Sequence, residues 1–448
     1  MTLLTSLSHQ LENKHLSLSQ RARLRCQCAR EYEDRGEYEE AREAMGELWQ
    51  RIGKRPKLEG LEPEIAGEVL LRAGVLTSWI GSKNQVTDAQ ESAKNLLSES
   101  LALFESLSLS LKVAEAQTEL ALCYWRTGEH NEARDVLKEA LSQHGIEGEI
   151  KAKALLRIAI VKREETYYQD SLRILIDNAS LFETVTNHAL KGSYHVTLGN
   201  VLENLSEAQR LHDYIDRALI EYTAASYHFE QAKHRCYRAN VENNIGFLYF
   251  KIRNYKDAHE HLDRARRLMV SLKAHDTIAQ VDETRARVFL AEGRNAEAEK
   301  TARASVVALE QGGQQGLLAE ALITHGTALA RLGYFSQSYA TLQHAIEAAR
   351  ASGSLNRAGD AALILIDELG EQLTPRGVAS KLTGCSIKDI RRYEHDLIKD
   401  ALIKADGHIT HAARLLGTSY QRVSYIIENR HRDLLKVRKP KKERPKQK

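Results

Sequence analysis

Proline is scarce in this sequence, with 5 in 448 residues. It removes a backbone donor and clashes with the preceding turn, so its rarity takes away the commonest interruption of long helices. Alanine, leucine, glutamate, arginine and lysine dominate instead, and these favour helix nearly everywhere. Aromatic residues make up 6% of the chain and charged residues 28%, a balance that fits a soluble folded chain and not a disordered one. No apolar run reaches the roughly 18 residues needed to span a bilayer. Cysteine is limited to Cys26, Cys28, Cys123, Cys236 and Cys385. An odd, scattered set without metal-ligand spacing argues against a disulfide framework and points to a reducing compartment. Cys26 and Cys28, two apart, cannot share one face of a helix and read as structural. The opening "MTLLTSLSHQLENK" has neither a basic lead nor a hydrophobic core, so no export signal is expected and the expected location is cytoplasmic.

Motifs for chemistry are equally thin. No Gly-x-x-x-x-Gly-Lys-Ser/Thr phosphate loop occurs, and "IGKRPK" at 52–57 lacks the preceding glycine spacing. No nucleophile elbow, dinucleotide loop or paired-carboxylate motif is present. His408 and His411 in "HITH" are three apart, but a helix boundary is expected between them and no cysteine or carboxylate completes a metal set. His228 with His234, and His259 with His261, read as residues of repeat helices. The sequence therefore offers no catalytic residue, metal site or cofactor, and the expectation is a protein that is not an enzyme.

Charge is unevenly shared. Residues 386–448 hold 17 basic and 8 acidic residues, a net of +9, which leaves −6 for the preceding 385 out of a total of +3. The surplus is greatest in "KVRKPKKERPKQK". An acidic body with a basic end suggests that the end faces nucleic acid.

Internal repetition organises the body. A small residue is followed by a large apolar one three later, often by glycine four further on, then by alanine or serine five after that. "NNIGFLYFKIRNYKDAHEHLDRA" contains Gly246, Tyr249, Tyr255, Ala258, Leu262 and Ala265. "LALCYWRTGEHNEARDVLKEA", "THGTALARLGYFSQSYATLQHA" and "CAREYEDRGEYEEAREAMGEL" repeat the pattern from Ala121, Gly326 and Ala29. The small positions are Ala29, Gly74, Ala121, Ala159, Gly199, Gly246, Ala286 and Gly326, separated by 45, 47, 38, 40, 47, 40 and 40 residues. Small residues let two helix axes approach closely, and large ones fill the space beside the contact. Glycine between the helices permits a left-handed turn. Residues are inserted after Gly74 and after Gly199, and the second insertion, "NLSEAQRLHDYIDRALIEY", reads as helical in its own right.

These copies resemble tetratricopeptide repeats, extended beyond the usual length of about 34 residues. The resemblance covers roughly 21–350 and implies an all-α fold, a right-handed solenoid of about eight helical hairpins with a concave inner face. In this family the groove takes a peptide or protein partner and is lined by first-helix positions. Here those positions are Thr118, Trp125, Arg126, Asn240, Asn243, Asn244, Phe247, Lys251, Arg287 and Arg331. Asn243 and Asn244 beside Lys251 are the best placed by chemistry, since amides and an ammonium hold a peptide's carbonyls or carboxylate.

Beyond the repeats, "LNRAGDAALILIDELGEQL" reads as an apolar capping helix, and "TPRGVASKLTGCS" as a linker that Thr374 and Pro375 open and Gly384 closes. Ser386 is a plausible N-cap for a helix with Ile387, Ile390, Leu397, Ile398, Ala401, Leu402 and Ala405 at helical spacing. Asp406–Gly407 stops it. Thr410 is expected to cap a short helix carrying Ala412 and Ala413, Gly417 to turn the chain, and Ser419 to cap a last helix with Val423, Ile426 and Ile427 on one face. The expected organisation is a lead at 1–20, repeats at 21–350, a capping helix and linker at 351–385, a trihelical domain at 386–435, and a basic tail at 436–448.

"LIKDALIKADGHITHAARLLGTSYQRVSYII" is similar to the Fis-type helix-turn-helix, by its Ala-Ala-Arg-Leu-Leu-Gly core, the polar residue two after the glycine and the apolar residue six after it. The resemblance implies a double-stranded DNA reader, and helix-turn-helix modules of this kind usually act as homodimers. It assigns Ser419, Tyr420, Gln421, Arg422 and Tyr425 to the DNA, with Ser424 nearby and Arg430 and Arg432 beside them. Gln421 and Arg422 suit base edges, while Ser419 and Tyr420 suit phosphate. Relatives often carry Arg or Lys where this chain has Tyr420 and Tyr425. The basic tail can restore the lost phosphate attraction. Two readings follow: a bacterial transcriptional regulator that docks a partner in its solenoid, or a repeat scaffold without specific DNA binding.

Overall fold

The computed structural model describes residues 3–13, 15–209, 213–272, 274–312, 314–353, 357–359, 361, 364, 387–416, 418 and 420–437. Regular structure among them is entirely helical. The chain divides into two compact units, Met1–Leu248 and Tyr249–Lys448.

The first unit opens with α1 (Leu3–Leu11), whose Leu4 and Leu7 pack on Cys28. Four helical hairpins follow: α2 (Leu18–Glu33) with α3 (Tyr38–Met45), α4 (Pro63–Lys83) with α5 (Ala89–Ser106), α6 (Ser110–Arg126) with α7 (His130–Ser142), and α8 (Gly148–Glu164) with α9 (Tyr168–Asp177). After the short α10 (Ala179–Thr184) comes the hairpin of α11 (His188–Gln209) and α12 (Asp213–Gln231), and then α13 (Arg235–Lys251), within which the division falls. The second unit contains α14 (Tyr255–Ser271), α15 (His275–Ala291) with α16 (Asn295–Gly312), α17 (Gln315–Arg331) with α18 (Phe335–Ala351), and three C-terminal helices, Ile387–Lys404, Ile409–Leu415 and Tyr420–Arg430.

All eight small positions lie in first helices. A Cβ added to Gly74, Gly199 or Gly326 would stand 2.8 Å from Leu97, 2.7 Å from Tyr222 or 2.6 Å from Leu342, so the contact leaves no room for a side chain. Where the second helix offers serine, the approach is fixed by a hydrogen bond: the Ser171 hydroxyl donates to the Ala159 carbonyl and that of Ser338 to the Gly326 carbonyl, each at 2.7 Å. Cys26 and Cys28 are both buried, on opposite faces of α2 as their spacing requires, one against Ala22, Ala29 and Trp49, the other against α1.

Seven residues after the small position the chain turns with positive φ, at Gly36, Gly128, Gly293 and Gly333, and also at Thr166 and Arg253. An L side chain there is strained by about 1 kcal/mol. Thr166→Gly is accordingly expected to raise stability by about 0.5–1 kcal/mol, read as a higher urea midpoint. A lower midpoint would show that the threonine makes up for its own strain.

Two sequence expectations are corrected. The insertion after Gly199 forms no separate helix. It lengthens α11 and α12, because the apolar spacing continues through buried Val201, Leu202 and Leu205 and resumes at Ile215 and Ala218. Thr410 does not cap the helix after Gly407. His408 is the N-cap residue, in extended conformation and without a side-chain cap bond. The turn through Asp406 (φ 49°) and Gly407 (φ 77°) starts the helix two residues early, so that Ile409 enters the core.

In the second unit one apolar core runs from the last hairpin into the C-terminal helices. It joins Leu322, Ile346 and Ala349 to Leu397, Ala401, Leu402, Ala412, Ala413, Leu416, Val423, Ile426 and Ile427. A Cβ on Gly359 would sit 3.1 Å from the Leu416 carbonyl oxygen, and Arg350 pairs with Asp400 at 3.6 Å. The helical trio is therefore seated on the end of the repeat stack within this unit. Thr374, Pro375, Gly384, Ser386, Gly417 and Ser419, much of the expected capping helix, and the tail from 438 lie outside the described residues.

Candidate DNA-reading helix and solenoid interior

In the last helix, Val423, Ile426 and Ile427 are buried, as their spacing predicts. The opposite side is open: Gln421 is exposed and Tyr425 is 61% exposed. Tyr420 is half-buried and packs against the core. The Ser424 hydroxyl donates to Glu428 at 2.9 Å, and Arg432 Nε donates to the Glu428 carbonyl at 3.0 Å. Arg430 is exposed. Ser419 and the Arg422 side chain lie outside the described residues. Beyond this helix, His395 joins the first helix of the trio to the segment after the third, with Nε2 2.6 Å from Asp433 Oδ2 and Nδ1 3.0 Å from Asp396 Oδ1. Those two carboxylates hold its pKa above the ordinary histidine value. His408 ends the turn while His411 lies inside the next helix, so the pair is divided as expected.

The solenoid candidates are less alike than their positions suggest. Thr118 is 1% exposed, and its hydroxyl donates to the Ala114 carbonyl of its own helix at 2.6 Å. Trp125 is half-buried against Ala121, Ala133, Leu137 and Val161. Asn240 is exposed, and Asn244 touches the Tyr222 hydroxyl, which also donates to Asn200 at 2.6 Å. The Oδ1 of Asn243 is buried without a hydrogen-bond partner among the described residues. Phe247 and Lys251 are half-buried. Arg287 lies 3.6 Å from Glu283, and Arg331 donates to the Leu290 carbonyl at 3.0 Å.

Sequence reasoning missed what lies between the first helices of the first unit. Arg72 on α4 is 4% exposed and bridges Glu33 on α2 at 2.6 Å and Glu115 on α6 at 2.8 Å. Arg30 reaches Glu115 at 3.6 Å and Glu149 on α8 at 3.2 Å. Lys112 pairs with Glu68 and, at 3.1 Å, with Glu115. Arg157 pairs with Glu119 at 2.6 Å and donates to the Thr118 carbonyl. Burial alone would raise the pKa values of Glu115 and Glu119. The cations around them, led by Arg72 for the first and Arg157 for the second, hold both at about 2. Charged residues inside otherwise apolar helices, as in "EIAGEVLLRAG", are the signal that could have revealed this interior.

Histidines collect on the α11–α12 hairpin. His188 Nδ1 lies 2.9 Å from His228 Nδ1, the His195 and His228 rings stack at 5.4 Å, and His195 Nδ1 is 2.7 Å from Glu221. Even so, no group of three or more His, Cys, Asp or Glu among the described residues is arranged to hold a metal. No helix there is long and apolar enough to cross a membrane.

The model of the Bacterial regulatory protein, Fis family, matches residues 390–425. The Tetratricopeptide repeat model matches residues 114–143. A comparison with curated proteins gives no match. Among solved structures the chain is similar to a Rap protein complexed with Competence and Sporulation Factor, at 13% identity over 82% of this chain and 99% of that one, with a TM-score of 0.52. It is also similar to a signal transduction ATPase with numerous domains and a tetratricopeptide repeat sensor from Pyrococcus horikoshii. That match has 12% identity over 83% of this chain, a TM-score of 0.54, and spans 54% of that protein's length. At such identities the likeness speaks for the fold alone, a tetratricopeptide-like solenoid; the Fis-type helix-turn-helix at the C-terminal end rests on the family match over 390–425.

Proposed function

We propose, for a chain that carries a tetratricopeptide repeat and a Fis-family helix-turn-helix, that it is a bacterial transcriptional regulator. Its last helix reads double-stranded DNA, and its solenoid binds a protein or peptide partner. The observation that carries the DNA reading is the Fis-family match over 390–425 together with the exposure of Gln421 and Tyr425 on the helix Tyr420–Arg430. Buried Val423, Ile426 and Ile427 hold that helix by its other side, leaving its polar edge to enter a major groove. Gln421 and Arg422 are assigned to base edges, Tyr420, Ser419 and Ser424 to phosphate, and Arg430, Arg432 and the tail to backbone charge. The partner reading is supported by the repeat architecture, and a Rap protein of similar fold is known in complex with Competence and Sporulation Factor.

Fluorescence anisotropy of the whole chain on fragments selected from genomic DNA tests the first half. Arg422→Ala is expected to cost about 1–3 kcal/mol on the preferred sequence and little elsewhere, which relaxes selectivity. Removing 436–448 should lower affinity on every duplex and flatten the salt dependence. Equal effects of both changes on all sequences would leave a repeat scaffold with an unspecific basic end.

A further inference from the structure

The chain keeps folding after the helix Tyr420–Arg430 ends. His431 is buried, and a short 3-10 turn, Arg432–Lys436, returns Leu434 to the core of the unit, with Val437 packed beside it. The family match stops at 425, so this returning segment lies beyond it. Asp433 fastens the segment to the first helix of the trio. His395 Nε2 lies 2.6 Å from its Oδ2, while His395 Nδ1 lies 3.0 Å from Asp396 Oδ1. A neutral imidazole has one N–H and can donate to only one of these carboxylates, whereas the imidazolium donates to both. The arrangement is therefore that of the cation, and Asp396 and then Asp433 hold its pKa above the ordinary histidine value. The charged and titratable groups facing the ring are Asp396 on its own helix and, from the returning segment, Asp433 and His431, whose ring meets it edge-on at 5.3 Å.

The same turn sets Arg432, the residue before Asp433. Its Nε donates to the Glu428 carbonyl at 3.0 Å, and the Glu428 carboxylate accepts the Ser424 hydroxyl at 2.9 Å. Arg432 is thus folded back on the last turn of the helix whose exposed residues include Gln421 and Tyr425. Arg432 and Lys436 are themselves exposed, and the basic run 436–448 follows directly.

We infer that His395 is a positioning residue for DNA binding: its clasp on Asp433 holds the returning segment so that Arg432 and Lys436 meet the phosphate backbone beside the last helix. The role rests on the reading of that helix as a DNA reader. Without its second N–H the ring keeps one carboxylate at most. The segment is then loosened, and Asp396 and Asp433 stand uncompensated beside the phosphates. DNA affinity therefore falls as pH rises through the titration of His395. The fall is shared by all duplexes, because phosphate contacts carry no sequence information.

The test is fluorescence anisotropy of the full-length protein on a duplex selected from genomic DNA and on an unrelated one. Titrations run from roughly pH 5.5 to 8.5, which brackets histidine, at fixed ionic strength. Wild type should bind both duplexes about two- to fivefold more weakly at the alkaline end, the range of a partly exposed ion pair, and keep its preference for the selected one. His395→Gln, neutral throughout, should start at the weaker affinity and lose that slope. The difference between the two profiles removes whatever the other histidines contribute. Arg432→Ala should weaken wild type at low pH and change His395→Gln little, because the arginine there is no longer held in place. His395→Lys, a permanent cation, should keep the tighter affinity at every pH, and carries the test if the glutamine variant does not fold. Equal slopes in wild type and either His395 variant overturn the inference, as does a full Arg432→Ala effect in the glutamine background; in both, DNA binding itself survives. A wild type that binds neither duplex removes the DNA reading and the positioning role together.

Discussion

Arg72→Ala is expected to destabilise the protein by about 3–5 kcal/mol, as a lower urea midpoint followed by circular dichroism. Arg72 is 4% exposed and holds two glutamates of neighbouring helices at 2.6 and 2.8 Å. Alanine leaves those carboxylates in place and removes the cation that made their burial tolerable. Glu115 keeps Lys112 at 3.1 Å and Arg30 at 3.6 Å. Glu33 has no other ion pair among the described residues, and burial already holds it at about 7. The deficit therefore falls mainly on Glu33, and Glu33→Gln in the alanine background should recover part of the loss. Arg42→Ala is the control, since Arg42 pairs with exposed Glu39 at 2.8 Å, and surface pairs are worth about 0–1 kcal/mol. A loss no larger than that of Arg42→Ala would mean that the interior pairs are solvated and do not organise the unit.

Acidification should have a comparable effect through His234. This residue is 3% exposed, stacked on Tyr237 at 4.0 Å and tilted against Phe229. Its Nδ1 accepts the backbone N–H of Tyr237, which fixes the neutral ring as the bonded form. Burial lowers its pKa to about 4. The unfolded chain takes up the proton near pH 6.5, while the folded chain refuses it until about 4. Stability is thus full above about 6.5 and is lost as pH falls toward 4, by about 3 kcal/mol for this one group. His228 is also lowered to about 4, by burial and by His195 and His188, and changes in the same direction. His395 has the opposite sign: its raised pKa contributes stability below about 6.5 that fades as pH rises past its folded value. His234→Asn keeps an N-cap acceptor for α13 and removes the titration. Its urea midpoint should vary less between pH 7 and pH 4.5 than that of wild type, and an equal slope would place the acid sensitivity elsewhere.

Much of this was open to a reader of residues, for reasons that differ by element. The eight small positions were legible because close helix packing tolerates nothing larger at one point of each hairpin, as Gly326 against Leu342 demonstrates. Turns were legible where glycine marks them, and silent at Thr166 and Arg253, which adopt the same backbone without it. The free face of the last helix followed from the spacing of Val423, Ile426 and Ile427 alone.

What periodicity cannot encode is which face of which helix a residue meets from afar. Arg72 and Glu115 are 43 positions apart, and Trp79 and Tyr237 much further, and only the return of successive first helices to one interior brings them together. Local sequence determined the helices, their small contacts and the kind of domain at the end, because those depend on neighbours within one helical hairpin, such as Gly326 and Leu342. The closed ion cluster and the seating of the terminal helices on the last hairpin depend on contacts between distant segments, and the tertiary structure alone decided them.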